Sequence, residues 1–124
     1  MKSPLNQVLG LGAAKEGTGH WWHQRLTAVA MVPLGLWFAI AVLNVDMSSY
    51  AALVAWIREP VTAILLCLTA SCLLYHSWLG VQVVLEDYVQ GATKVVSLLL
   101  STFAHAVLFV VCLFSILKIA FGMG

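Results

Sequence analysis

The sequence predicts an all-α integral membrane protein, with three transmembrane helices that form part of a heteromeric helix bundle. Three observations carry this expectation. The chain has 124 residues, 62% hydrophobic and only 9% charged, whereas soluble domains carry about 25% charged residues. Mean hydropathy is +0.99. Lys, Arg, Asp and Glu are confined to short segments and leave three uninterrupted runs, residues 26–45, 60–85 and 95–117. Each run holds the roughly 20 residues that a helix needs to cross a bilayer. The polar remainder is too short for a second domain, so residues 1–124 read as one domain.

The elements follow in order. Residues 1–23 are expected to form an irregular or surface-lying arm, polar and glycine-rich between Gly10 and Gly19. Trp21 and Trp22 suit the aromatic belt where a chain enters the bilayer. Helix 1 is expected at about 24–44, with Pro33 and Gly35 tolerated as they often are in membrane helices. Asn44–Tyr50 reads as a polar turn, followed by an interfacial stretch to Arg58 that contains Trp56. Glu59-Pro60 opens helix 2, because proline suits a first helical turn and an acid suits the positive helix end. Helix 2 is expected to run to about residue 85. EDYVQGATK then forms a short connection, and helix 3 covers about 95–121.

Lys and Arg placement predicts the orientation. With the N-terminus inside, Lys2, Lys15, Arg25 and Lys94 are cytoplasmic, against Arg58 and Lys118 outside. The first 24 residues carry neither the apolar core of a signal peptide nor an Arg-rich transit segment, so a bacterial inner membrane is the expected location. Net charge is +1, which argues against nucleic acid as a partner. Cys67, Cys72 and Cys112 fall inside spans without ligand spacing and read as reduced packing residues. Three spans without an internal repeat do not make a transporter of inverted halves. The small size and large apolar surface point to a subunit.

His76 is the most informative residue. It lies about ten residues before the cytoplasmic end of helix 2, roughly 15 Å deep at 1.5 Å per residue. An ionisable group at that depth is a candidate functional site. A neutral imidazole nitrogen is a good axial ligand for haem iron, and Gly80 one turn on leaves room for a macrocycle or a close helix. The plainer alternative is a histidine hydrogen-bonded to a neighbouring helix. His105 reaches nearly the same depth on helix 3. It could bracket a haem together with His76, but a hydrogen bond within the bundle is the favoured expectation.

Asp87 follows His76 by eleven positions, almost three helical turns, so the two share a face if the helix persists. Tyr88 sits at the interface, where a phenol can donate to a quinone carbonyl and a nearby acid can relay protons. An aromatic belt and helix-flanking acids explain the same residues. In GHWWHQRLTA, Arg25 could snorkel to the headgroups or pair with haem propionates in a forked geometry. His20 and His23, three apart, could do likewise. His20 and His23 lack further ligands for zinc.

The pattern H-x-W-x-G (His76, Trp78, Gly80) followed by E-D-Y-V (Glu86 to Val89), in the second of three spans, resembles the small hydrophobic membrane-anchor subunit of succinate dehydrogenase, respiratory complex II. GHWWHQRLTA is similar to that family's first-helix start. The resemblance covers nearly the whole chain, and the twelve-residue His-to-Tyr spacing is its specific part. It implies a haem b shared with a second, cytochrome b556-type anchor subunit, each anchor supplying one axial histidine. It implies further partners, an iron–sulphur subunit and a flavoprotein subunit, and ubiquinone as the electron acceptor. By resemblance His76 ligates the haem iron, Arg25 faces the haem propionates and His20 is a weaker propionate candidate. Tyr88 donates to ubiquinone, with Asp87 at the border of that site, while His23 stays an interfacial residue. The resemblance implies no catalysis by this chain alone. An anchor of a fumarate reductase oxidising quinol is a close alternative. A structural or transport subunit without haem is a more distant one.

Overall fold

The computed structural model describes residues 13–123, with side chains from residue 19 onward. It contains four helices: α1 (Ala13–Asn44), α2 (Tyr50–Arg58), α3 (Pro60–Tyr88) and α4 (Gly91–Ala120). Three stretches, Gly19–Asn44, Pro60–Tyr88 and Gly91–Ala120, are long and apolar enough to cross a membrane. The all-α, three-span class expected from the sequence is therefore the class observed.

Helix α1 begins earlier than the sequence suggests. Residues 1–12 of the expected arm lie outside the described residues, but residues 13–23 continue the helix. Ala13, Ala14, Lys15 and Glu16 are strong helix formers. The glycines at 17 and 19 cost only about 1 kcal/mol each relative to alanine. At the other end, Asn44 Nδ2 donates to the Ile40 carbonyl at 2.7 Å. The turn that follows is tied by Asp46, whose Oδ1 accepts from Ser48 N (3.0 Å) and Ser48 Oγ (2.6 Å). These two bonds hold the exposed Asp46 carboxyl below its ordinary pKa. Ser49 then caps α2 by accepting from Ala52 N at 3.2 Å.

A single residue turns α2 into α3. Glu59 closes one helix and opens the next with extended backbone, φ −63° and ψ 126°. The following proline drives this, since a residue before proline is pushed out of the helical region. Pro60 itself sits at the start of α3, where its missing N–H costs nothing. Helix α3 runs three residues beyond the expected end. Helix α4 starts at Gly91 rather than near Val95, so the expected nine-residue connection shrinks to Val89 and Gln90. Gly91 makes the reversal possible at φ +71°, a conformation that costs a residue with Cβ about 1–2 kcal/mol.

Helix α3 is the middle helix. Helix α1 packs along one part of it and α4 along another, and among the described residues α1 and α4 do not meet. Helix α2 lies against α3 and α4, and Trp56 stacks on Trp37 of α1 with ring centroids 6.3 Å apart. Little of the bundle is interior. Among the described residues only Thr62, Ala63 and Leu79 are buried, Leu79 most completely at 2% exposure. The apolar side chains of α1 and α4 mostly face outward, as lipid allows and water does not.

Candidate functional site

The contact between α1 and α3 organises the polar residues. On α1, His20, Gln24 and Thr27 recur at intervals of four and three, which places them on one helix face. On α3, His76 meets two of them. Its Nδ1 lies 3.0 Å from Thr27 Oγ1, and its Nε2 lies 3.4 Å from Gln24 Nε2. Gly80 is next along this seam, where an added Cβ would come within 3.8 Å of Gln24 Nε2. Gly80 thus faces the neighbouring helix α1, at ordinary contact distance.

The surrounding hydrogen-bond partners favour one histidine tautomer. Thr27 Oγ1 is 2.9 Å from the His23 carbonyl and 3.0 Å from the Gln24 carbonyl of its own helix. A hydroxyl has one hydrogen, and two backbone acceptors claim it in the back-bonding usual for helical threonine. Thr27 is therefore placed to accept from His76, an arrangement that favours the Nδ1–H form. In a neutral imidazole the other nitrogen then holds the free lone pair. Nε2 is that atom, and the Gln24 amide nitrogen is its long-range neighbour. Gln24 Oε1 and His20 Nε2 are themselves buried without a hydrogen-bond partner among the described residues.

The remaining residues expected at the site lie as follows. Arg25 is exposed, with its guanidinium 5.0 Å from the Trp21 ring centroid, at the level of His76 because Gln24 and Thr27 flank it. His23 Nδ1 is 2.7 Å from Tyr75 Oη. Asp87 and Tyr88 stand at the far end of α3. The helix is continuous from His76 through both, so Asp87 does share the His76 face. Tyr88 is twelve residues away, about 18 Å along the axis, and 83% exposed. The structure thus separates two groups: an inner one around His76 with His20, Gln24, Arg25 and Thr27, and an outer one of Asp87 and Tyr88 near the level where α1 begins.

His105 belongs to the α3–α4 contact. Its Nδ1 donates to the Ser101 carbonyl at 2.8 Å, and its Nε2 accepts from Ser77 Oγ at 3.1 Å. Trp78 Nε1 donates to Thr102 Oγ1 alongside, at 3.0 Å. His76 turns to α1 and His105 is engaged from α4, so they do not face one another across a shared space. A cavity of about 280 Å³ between α3 and α4 is lined by Tyr75, Trp78, Thr102, His105 and Phe109, and His76 is not among its walls. The three cysteines are free and half-buried. No group of three metal-ligating side chains occurs among the described residues.

Sequence reading missed Gln24 and Thr27. Their signal was the four-and-three spacing of polar residues from His20, meaningful only once His76 is known to lie opposite. The inner group suits a haem ligand. It offers one imidazole nitrogen whose lone pair meets only the Gln24 amide, at 3.4 Å, while the other ring nitrogen is held by Thr27.

Comparison with known proteins agrees with this architecture. The family described as succinate dehydrogenase/fumarate reductase transmembrane subunit matches residues 1–117. The chain is 34% identical over 121 residues to the succinate dehydrogenase hydrophobic membrane anchor subunit of Rickettsia bellii, covering 91% of this chain and 94% of that one. It is 31% identical over 99 residues to the subunit of the same name from Paracoccus denitrificans, covering 80% and 77%. The succinate dehydrogenase membrane anchor subunit of Reclinomonas americana is 30% identical over 90 residues, covering 69% and 75%. A three-span bundle matched over nearly its full length in this way belongs to the succinate dehydrogenase/fumarate reductase transmembrane subunit family.

Proposed function

We propose that this chain is the membrane anchor of a succinate:ubiquinone oxidoreductase, that it supplies one axial ligand to a haem b, and that it forms part of the ubiquinone site. The observation that carries the reading is His76: a histidine within a span whose Nδ1 lies 3.0 Å from the Thr27 hydroxyl and whose Nε2 meets only the Gln24 amide nitrogen, at 3.4 Å. His76 Nε2 would hold the iron. Arg25, level with His76, would face the propionates as a fixed positive charge, and His20 would lie near them. When bound, the haem would supply a one-electron carrier within the bilayer. The second ligand would come from another anchor subunit, because His105 is engaged elsewhere in this chain.

Tyr88 stands exposed at the end of α3, where it would donate its phenolic hydrogen to a quinone carbonyl, with Asp87 beside it able to pass protons from water. The same end would receive the iron–sulphur and flavoprotein subunits, where succinate would be oxidised. The bacterial inner membrane with the N-terminus cytoplasmic is the orientation this reading requires. To test it, the tagged chain is purified in detergent from its own membrane, and its subunits and reduced-minus-oxidised spectrum are recorded. Co-purification of a flavoprotein, an iron–sulphur protein and a second anchor with a b-type spectrum is expected. A complex without flavin and haem would refute the proposal.

A further inference from the structure

We infer that Thr27 is a positioning residue for the haem ligand: by accepting from His76 Nδ1–H it presents Nε2 to the iron and raises the donor strength of the ring. The inference rests on the reading of His76 as an axial ligand and deepens it. The geometry is specific. The Thr27 hydroxyl is oriented by two carbonyls of its own helix, at 2.9 and 3.0 Å, so its lone pairs point in a direction set by α1. His76 meets those lone pairs from α3 at 3.0 Å. The ligand ring is therefore carried by one helix and aimed by another.

Two consequences follow from the chemistry. An imidazole without this acceptor can hold its proton on either nitrogen, and only the Nδ1–H form leaves Nε2 free. An Nδ1–H that donates to an oxygen also leaves the ring more electron-rich, which stabilises ferric over ferrous iron and lowers the haem potential. Partners of this kind commonly carry 10- to 100-fold in ligand-site affinity. Gln24 has the opposite part. Its amide nitrogen stands 3.4 Å from Nε2, so it occupies the ligand direction and has to swing aside as iron binds.

The test compares Thr27→Val and Thr27→Ser in the complete purified complex. Valine keeps the branched shape and removes the acceptor, while serine keeps the hydroxyl. Thr27→Val is expected to move the haem midpoint potential upward, shift the low-spin ferric EPR signal and weaken haem retention about tenfold or more. Thr27→Ser is expected to restore the wild-type potential and signal. A Val variant with the wild-type potential and EPR signal, or a Ser variant as altered as Val, would overturn the inference. Should Thr27→Val fail to assemble, Thr27→Ala removes the same acceptor with less bulk and has to give the same upward shift. A His76→Ala complex is measured in parallel. If it keeps an unaltered haem, the assignment of His76 itself is wrong, which separates that failure from the failure of Thr27.

Discussion

Tyr88→Phe isolates the outer group from the inner one. Tyr88 is 83% exposed, so losing its hydroxyl disturbs no packing, and a surface change of this kind stays within about 0.5 kcal/mol of stability. It also lies about 18 Å along α3 from His76, so the surroundings of His76 are untouched. On the proposed reading, what is lost is one hydrogen bond to a quinone oxygen that gains charge on reduction. Such a bond contributes about 1.5–3 kcal/mol, and at roughly 1.4 kcal/mol per factor of ten the rate falls about 10- to 100-fold. The assay runs the purified complex twice, once with a short-chain ubiquinone and once with a soluble dye that takes electrons directly from the hydrophilic subunits. The quinone-dependent rate is expected to fall by that factor, with dye reduction and the haem spectrum unchanged. Equal losses in both rates, or full retention of the quinone rate, would refute the role of Tyr88.

Other consequences concern the bundle. His105→Ala removes the interhelical contact to Ser77 and the contact to Ser101 within α4; at about 0.6 kcal/mol for an interhelical hydrogen bond in a membrane protein, stability drops by about that much while haem content stays at the wild-type level, and haem loss would show that His105 is a ligand. Gly122 ends α4 at φ +69°, with Met123 N donating to Lys118 O and Gly122 N donating to Ile119 O, the paired closure favoured by glycine. Gly122→Ala is expected to cost about 1–2 kcal/mol, seen as a lower thermal midpoint of the detergent-solubilised complex. Asp46 is held below its ordinary pKa by Ser48. Its contribution is thus complete above the ordinary carboxylate range and is lost as pH falls through the lowered value. Asp46→Asn should remove that acid limb from a stability–pH profile, and an unchanged profile would argue against it.

The spans were legible because charges break hydropathy, and the three charge-free runs map onto α1, α3 and α4. The ends were less so. Residues 13–23 looked irregular because Gly17 and Gly19 flank polar residues, yet helix propensity elsewhere in the segment prevails. The Val89–Gln90 reversal looked longer because sequence alone does not reveal that Gly91 adopts φ +71°. His76 stood out as an ionisable group inside a span. Thr27 did not, since an uncharged polar residue passes unnoticed in an apolar run, and Gln24 is one of several polar residues beside Arg25. Helices apolar all round mark no inward face either, so pairing of α1 with α3 was not encoded in periodicity. The same pairing brings Gln24, Arg25 and Thr27 level with His76 and leaves Tyr88 apart.

The most direct test of the account is the haem content of the complex carrying His76→Ala. If His76 Nε2 is the axial ligand, the purified complex loses its b-type haem, or keeps a five-coordinate haem with an altered reduced spectrum. A His76→Ala complex with wild-type haem content and an unchanged reduced-minus-oxidised spectrum would contradict it.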